Sequence, residues 1–157
     1  MDFSDKYDKY SGMVYRICLL RLGSVYDAED AVQNVFIKLF YKAPEFVSDE
    51  QEKAWLIRVS VNTCKDHLKS AWRRRTVSLE EAAELTYGPI EDVQKLIEIF
   101  ELAPKYRTVL QLFYYEGYSV KEIAQILKIS EKTVTSQLCR ARKKLKLEME
   151  AGEYART

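Results

Sequence analysis

Six side chains near the C-terminus carry the clearest chemical signal. Lys132, Thr135, Ser136, Cys139, Arg140 and Lys143 point away from a seam of Val134, Leu138, Ala141 and Leu145, which recur at i, i+4, i+7 and i+11. Short hydroxyls let such a helix sit deep in a DNA major groove, and an arginine reaches a guanine edge bidentately or a phosphate. Arg142, Lys143, Lys144 and Lys146 supply sequence-blind attraction to phosphates. The plainer alternative is a solvated helix end whose lysines complement its dipole.

The frame around these residues favours DNA. Ser119-Val120-Lys121-Glu122 spells a capping box that opens a short helix to Leu127. Lys128-Ile129-Ser130 is a three-residue turn, and Ser130 caps a second helix running to about Leu147. Ile123, Ala124, Leu127, Ile129, Val134 and Leu138 let the two helices pack crosswise, with small Ala124 at their closest approach. This is a helix-turn-helix pattern. Lys128 stands where glycine is common in such turns, and a left-handed lysine costs up to about 1 kcal/mol.

A second basic constellation lies earlier. On a helix predicted from Asp49 or Glu50 to Arg75, Arg58, Asn62, Lys65, Lys69 and Arg73 fall within about 80° of arc. Ile57, Val61, Cys64, Leu68 and Ala71 fall on another face. The charge distribution carries the same message that the net charge of +1 conceals. Residues 53–75 and 119–147 each carry +6, whereas 27–52 carry −5 and 76–101 carry −6. Two basic blocks, each beside an acidic one, point to two separate polyanion contacts.

Enzyme chemistry finds little support. His67 is the only histidine, and no nucleophile elbow, P-loop or dinucleotide fingerprint is present. Cys64 and His67 form one C-x-x-H pair, too few ligands for structural zinc. No catalytic residue, metal, cofactor or small-molecule substrate is therefore expected. Three widely spaced cysteines exclude a disulfide framework and fit a reducing cytoplasm. The longest uncharged run is eight residues, Thr108 to Tyr115, so no membrane insertion is expected. Met1-Asp2-Phe3-Ser4-Asp5 has neither the basic nor the apolar segment of an export signal, so a cytoplasmic location is expected.

The 157 residues contain five Gly and three Pro and are 47% apolar and 31% charged, a composition that favours helices. Helical periodicity predicts a first helix from about Ser4 to Leu22, stopped by Gly23, with Phe3, Tyr7, Tyr10, Val14, Ile17 and Cys18 at helical spacing. A second should start at Asp27, capped by that residue, bear the apolar stripe Val32, Val35, Phe36, Leu39 and Phe40, and end at Pro44. A loop from Ala43 to Lys53 precedes the basic helix. Thr76 to Pro89 reads as a linker with a short capped turn at Ser78, followed by an acidic helix Glu91 to Leu102 and another restarted by Pro104. The expected fold is all-α: two small helical domains, 1–75 and 92–150, with a linker at 76–91 and a tail at 151–157.

The chain resembles the extracytoplasmic-function class of bacterial sigma factors over nearly its whole length. That family's second conserved region is similar to Asp27-Ala28-Glu29-Asp30-Ala31-Val32-Gln33-Asn34-Val35-Phe36-Ile37-Lys38-Leu39-Phe40 and to Ala54-Trp55-Leu56-Ile57-Arg58-Val59-Ser60-Val61-Asn62-Thr63. Its fourth region resembles Leu102-Ala103-Pro104-Lys105-Tyr106-Arg107, Tyr115-Glu116-Gly117-Tyr118-Ser119, Glu122-Ile123-Ala124 and the stretch from Thr133 to Leu145. The resemblance implies a partner, core RNA polymerase, whose largest-subunit clamp coiled coil would meet Asp27, Asp30, Gln33, Asn34, Ile37 and Lys38. It implies promoter DNA as the second partner. Arg58, Asn62 and Lys65 would meet the −10 element, Phe46 would offer a stacking face to a flipped base, and the recognition helix would read the −35 element. An anti-sigma partner is implied as well. Thr135 and Gln137 depart from the family, which commonly carries Lys or Arg there, and the loop Glu45 to Glu52 is unusually acidic beside a nucleic-acid strand.

Two competing readings remain. A stand-alone helix-turn-helix regulator would explain the second basic block and leave the first without a purpose. A helical adaptor would leave both merely solvated.

Overall fold

Residues 2–70 and 101–145 are described in the structure, a computed structural model. All regular elements among them are helical. The chain divides into two compact units, Met1–Val93 and Gln94–Thr157. The expected turn at Ser78, the acidic helix from Glu91, Ala71, Arg73 and the end of the recognition helix beyond Leu145 lie outside the described residues.

The first unit holds three mutually packed helices, α1 (Phe3–Leu22), α2 (Val25–Lys42) and α3 (Asp49–Ser70). Asp2 caps α1 by accepting from the Asp5 N–H at 2.9 Å. Gly23 closes α1 at φ 70°, a left-handed conformation that costs glycine little, and its N–H reaches the Leu19 carbonyl at 2.8 Å. Helix α2 starts two residues before the expected position. Its cap is Ser24, whose hydroxyl accepts from the Asp27 N–H at 3.2 Å, so Asp27 is a first-turn residue and not the cap. At the head of α3, Ser48 accepts from the Gln51 N–H at 3.1 Å, while Gln51 Oε1 accepts from the Val47 N–H at 2.7 Å. This pair of bonds pins the preceding loop to the helix. Lys6 and Lys9 of α1 then pair with Glu52 at 2.7 Å and Asp49 at 3.1 Å on the first turn of α3.

Val14, Ile17, Cys18, Leu19, Ala28, Ala31, Val35, Leu56, Ile57 and Cys64 form the interior of this unit. Three expected apolar positions fall outside it, because Tyr7, Phe40 and Leu68 are exposed. The C-x-x-H pair is split, with Cys64 in the core against Cys18 and His67 directed to Asp27. The thiol–thiol hydrogen bond with Cys64, and burial after it, push the Cys18 thiol well above its usual range. Burial likewise raises the Tyr10 phenol. Both groups hold protons in the folded state that the unfolded chain releases, so their stabilisation is complete below the unfolded thiol value of about 8.5 and is lost as pH rises. Urea unfolding should therefore show a constant midpoint from about pH 6 to 8 and a falling one by about pH 10. A midpoint that rises over the alkaline range would contradict this.

In the second unit, α4 (Pro104–Leu110) begins with proline at the position where a missing N–H is harmless. It runs into a π-helical turn, Gln111–Tyr115, which the periodicity did not predict. Here the Glu116 N–H reaches the Gln111 carbonyl at 2.9 Å, one residue further along than α-geometry. Helix α5 (Val120–Leu127) carries both halves of its capping box: Ser119 Oγ accepts from the Glu122 N–H at 3.1 Å, and Glu122 Oε1 accepts from the Ser119 N–H at 2.9 Å. Lys128 is left-handed at φ 57°, as the turn requires. Ser130 caps α6 (Glu131–Leu145) through the Thr133 N–H at 3.0 Å. Val134, Leu138, Ala141 and Leu145 are buried as one seam, and α6 packs on both α4 and α5. No helix among the described residues is long and apolar enough to cross a membrane.

Candidate nucleic-acid interface

Helix α6 presents its polar side as expected. Lys132, Thr135, Cys139, Arg140 and Lys143 are exposed and Ser136 is half-buried, all away from the seam. Lys121, Lys128 and Lys144 add exposed cations on the same unit. Arg142 behaves differently. Its Nε donates to the Tyr114 hydroxyl at 2.7 Å, and its guanidinium lies 5.6 Å from the Phe113 ring centre and 5.5 Å from that of Tyr114. Its Nε–H and guanidinium are thus held against neutral groups of the protein, and it is less free to turn outward than its neighbour Lys143.

On α3, Asn62 and Lys65 are exposed and Arg58 is half-buried, so the three share the outer side of the helix whose inner side holds Ile57, Val61 and Cys64. Phe46 is half-buried in the loop before α3, edge-on to Trp55 at 5.6 Å, with Lys6 Nζ 5.9 Å from its ring centre. It lines an open groove of about 530 Å³ together with Lys6, Pro44, Asp49 and Glu52. Lys6, the lysine lining this groove, is already paired with Glu52, and Glu45 and Asp49 add carboxylates, so the groove suits a neutral base better than a phosphate.

A third surface follows α2. Asp30, Gln33, Asn34 and Ile37 are exposed, Ile37 at 54%. Lys38 is half-buried and donates to Thr63 Oγ1 at 2.9 Å. Asp27 does not share this surface. It is 3% exposed, with Oδ1 3.3 Å from His67 Nε2, because a helix starting at Val25 turns its third residue onto α3. Asn34, Ile37, Lys38, Tyr41 and His67 line a groove of about 470 Å³ between α2 and α3. The sequence reading missed Tyr41 and His67, and also the outward turn of Phe40. Adjacent aromatics at 40 and 41 were the available signal, yet both side chains turn to solvent, at 61% and 75% exposure.

Replacing Asp27 by alanine should therefore act on stability. It removes a first-turn anion and the partner of His67, a loss of about 1–3 kcal/mol in the urea unfolding of the first unit. Polymerase affinity of the folded variant should stay unchanged. Weaker affinity at unchanged stability would place Asp27 back on the surface.

Comparison with known proteins agrees with these two units. Residues 7–74 match the family model described as Sigma-70 region 2, and residues 92–145 match Sigma-70, region 4. The ECF RNA polymerase sigma factor SigW of Bacillus subtilis is 30% identical over 165 residues, covering 94% of this chain and 88% of the relative. The chain belongs to the ECF RNA polymerase sigma factor family.

SigL of Mycobacterium tuberculosis, another ECF sigma factor, is 29% identical over 154 residues, covering 92% of this chain and 86% of its own. The sigma factor RpoE of Bartonella quintana, solved in complex with the anti-sigma factor NepR, has the same fold at a TM-score of 0.73, with 19% identity, 95% of this chain and 97% of that one covered. As a sigma factor the protein directs RNA polymerase to promoters. The α2 and α3 surfaces fall within its region 2, and the helix-turn-helix within its region 4.

Proposed function

We propose that the sigma factor divides initiation between its units: residues 1–75 dock on core polymerase and open the −10 element, and residues 92–150 read the −35 duplex. Residues 76–91 link the two, and 151–157 form a tail. Asp30, Gln33, Asn34, Ile37 and Lys38 meet the clamp coiled coil of the largest subunit, joined by exposed Phe40 and Tyr41, which offer the apolar area that a protein interface needs. Arg58, Asn62 and Lys65 meet the −10 strand, and Phe46 stacks on a base turned out into the groove beside it. Holding an unstacked base favours the melted state, so opening proceeds without ATP. Lys132, Thr135, Ser136, Cys139, Arg140 and Lys143 face the −35 major groove. The factor acts by binding alone, in the cytoplasm where polymerase works, and an anti-sigma factor holds it inactive; the NepR complex of the Bartonella protein supports this last partner.

The observation that carries the reading is the outward face of α6, set by two capped helices and one buried seam. Run-off transcription tests it, with core polymerase from a close bacterial source on fragmented genomic DNA. New discrete transcripts that require both components are expected, and Asn62→Ala should abolish opening more than closed-complex binding. Salt-dependent shifting of duplex DNA with no transcript would favour a stand-alone regulator instead.

A further inference from the structure

An apolar seam holds α6 in place without fixing its rotation. Burial is non-directional, and Val134, Leu138, Ala141 and Leu145 would bury nearly as well after a turn of some degrees about the helix axis. Base reading does not tolerate such a turn, since side chains must be held within about 10–20° of their working geometry. A directional contact sets the angle more sharply than burial alone.

Arg142 stands in the right place. It lies about 70° around α6 from the middle of the seam, on the edge that leads to Thr135 and Cys139. From that edge its Nε makes the 2.7 Å bond to the Tyr114 hydroxyl, and its guanidinium lies 5.5–5.6 Å from the centres of the Phe113 and Tyr114 rings, which meet edge-on at 5.0 Å. Hydrogen bonds and guanidinium–ring contacts are directional where the seam is not. Both rings belong to the π-helical turn, the one place among this unit's described residues where the helix takes in a residue more than α-geometry holds. Such turns often persist at functional sites.

We propose that Tyr114 and Arg142 form a positioning couple that sets the rotation of α6, and so aims Thr135, Ser136, Cys139 and Arg140 at the −35 bases. The proposal rests on the reading of α6 as the −35 reader. Tyr114 itself touches no DNA, and Arg142 contributes no phosphate contact.

The test measures affinity of the full-length protein for two duplexes, one carrying the −35 element mapped from run-off transcripts and one with that element scrambled. The readout is the ratio of the two affinities, at a temperature where circular dichroism shows every variant folded. Tyr114→Phe keeps the ring and removes the hydroxyl, and should lower the ratio roughly three- to tenfold, as expected for one lost hydrogen bond. Affinity for the scrambled duplex and its salt slope should not move, which separates aiming from a general loss of structure. Arg142→Lys keeps the charge and loses the planar fork, and should fall with it; the double variant should fall no further than the worse single. An unchanged ratio in Tyr114→Phe overturns the proposal. So does an Arg142→Gln variant that lowers the salt slope by about one, which would make Arg142 a phosphate ligand. A wild-type protein indifferent to the −35 sequence would overturn the −35 reading, and the couple with it.

Discussion

Raising salt from about 50 to about 200 mM will weaken binding of the full-length protein to −35 duplex DNA by about a thousandfold. Lys105, Lys121, Lys128, Lys132, Lys143 and Lys144 are exposed on the described part of the second unit, whereas Arg140 reads a base and Arg142 is held on Tyr114. Each phosphate neutralised releases counterions, contributing about −0.9 to the slope of log affinity against log salt, so six contacts give a slope near −5. Over a fourfold rise in salt that slope is worth about three decades. Lys143→Ala should reduce the slope by about one and weaken all sequences alike, whereas Arg140→Ala should cost about 1–3 kcal/mol and relax preference at one base pair. Fluorescence anisotropy over a salt series measures both. A slope shallower than about −2 would mean that this face does not follow a DNA backbone.

Leu138→Ala should unfold the second unit and spare the first. Leu138 is 2% exposed on the helix that packs against both α4 and α5. Removing its branched end leaves a cavity among three short helices that are also held by Val134, Ala141 and Leu145, and core truncations of this kind cost about 2–5 kcal/mol. A unit of the size of Gln94–Thr157 has a total stability of about 3–10 kcal/mol at ordinary values per residue, so the loss approaches the whole. Hydrogen exchange should show amides of α4, α5 and α6 losing protection while α1, α2 and α3 keep theirs. Equal loss in both units would show them to unfold as one. Bound core polymerase would mask part of the effect by mass action, so the measurement belongs on the free protein.

Family, helix content and the face of the reading helix were legible in the residue pattern because they depend on local rules. A capping box needs only Ser119 and Glu122 three apart, a seam needs only apolar residues at helical spacing, and both appear in the structure as spelled. The left-handed Lys128 followed equally from its place in the turn, where glycine is common. What failed were choices between local alternatives of similar energy. Ser24 and Asp27 can each cap a helix; Ser24 does so, and the two extra residues carry Asp27 inward to His67, forty residues away. Phe40 fits the buried stripe by period, yet the stripe on α2 is already filled by Val35, Phe36 and Leu39, and its ring remains outside beside that of Tyr41.

The sequence by itself determined the parts that a few neighbouring residues settle: which segments are helical, where most of them are capped, and which side of α6 faces outward. Tertiary structure alone decided which charges remain available. Arg142 and Lys143 are neighbours in sequence and identical in formal charge, but only one meets an aromatic pair from a π-helical turn some thirty residues earlier. That turn carries no period of its own, and a long flexible side chain goes where a distant partner lowers its energy, so only the folded chain assigns its role.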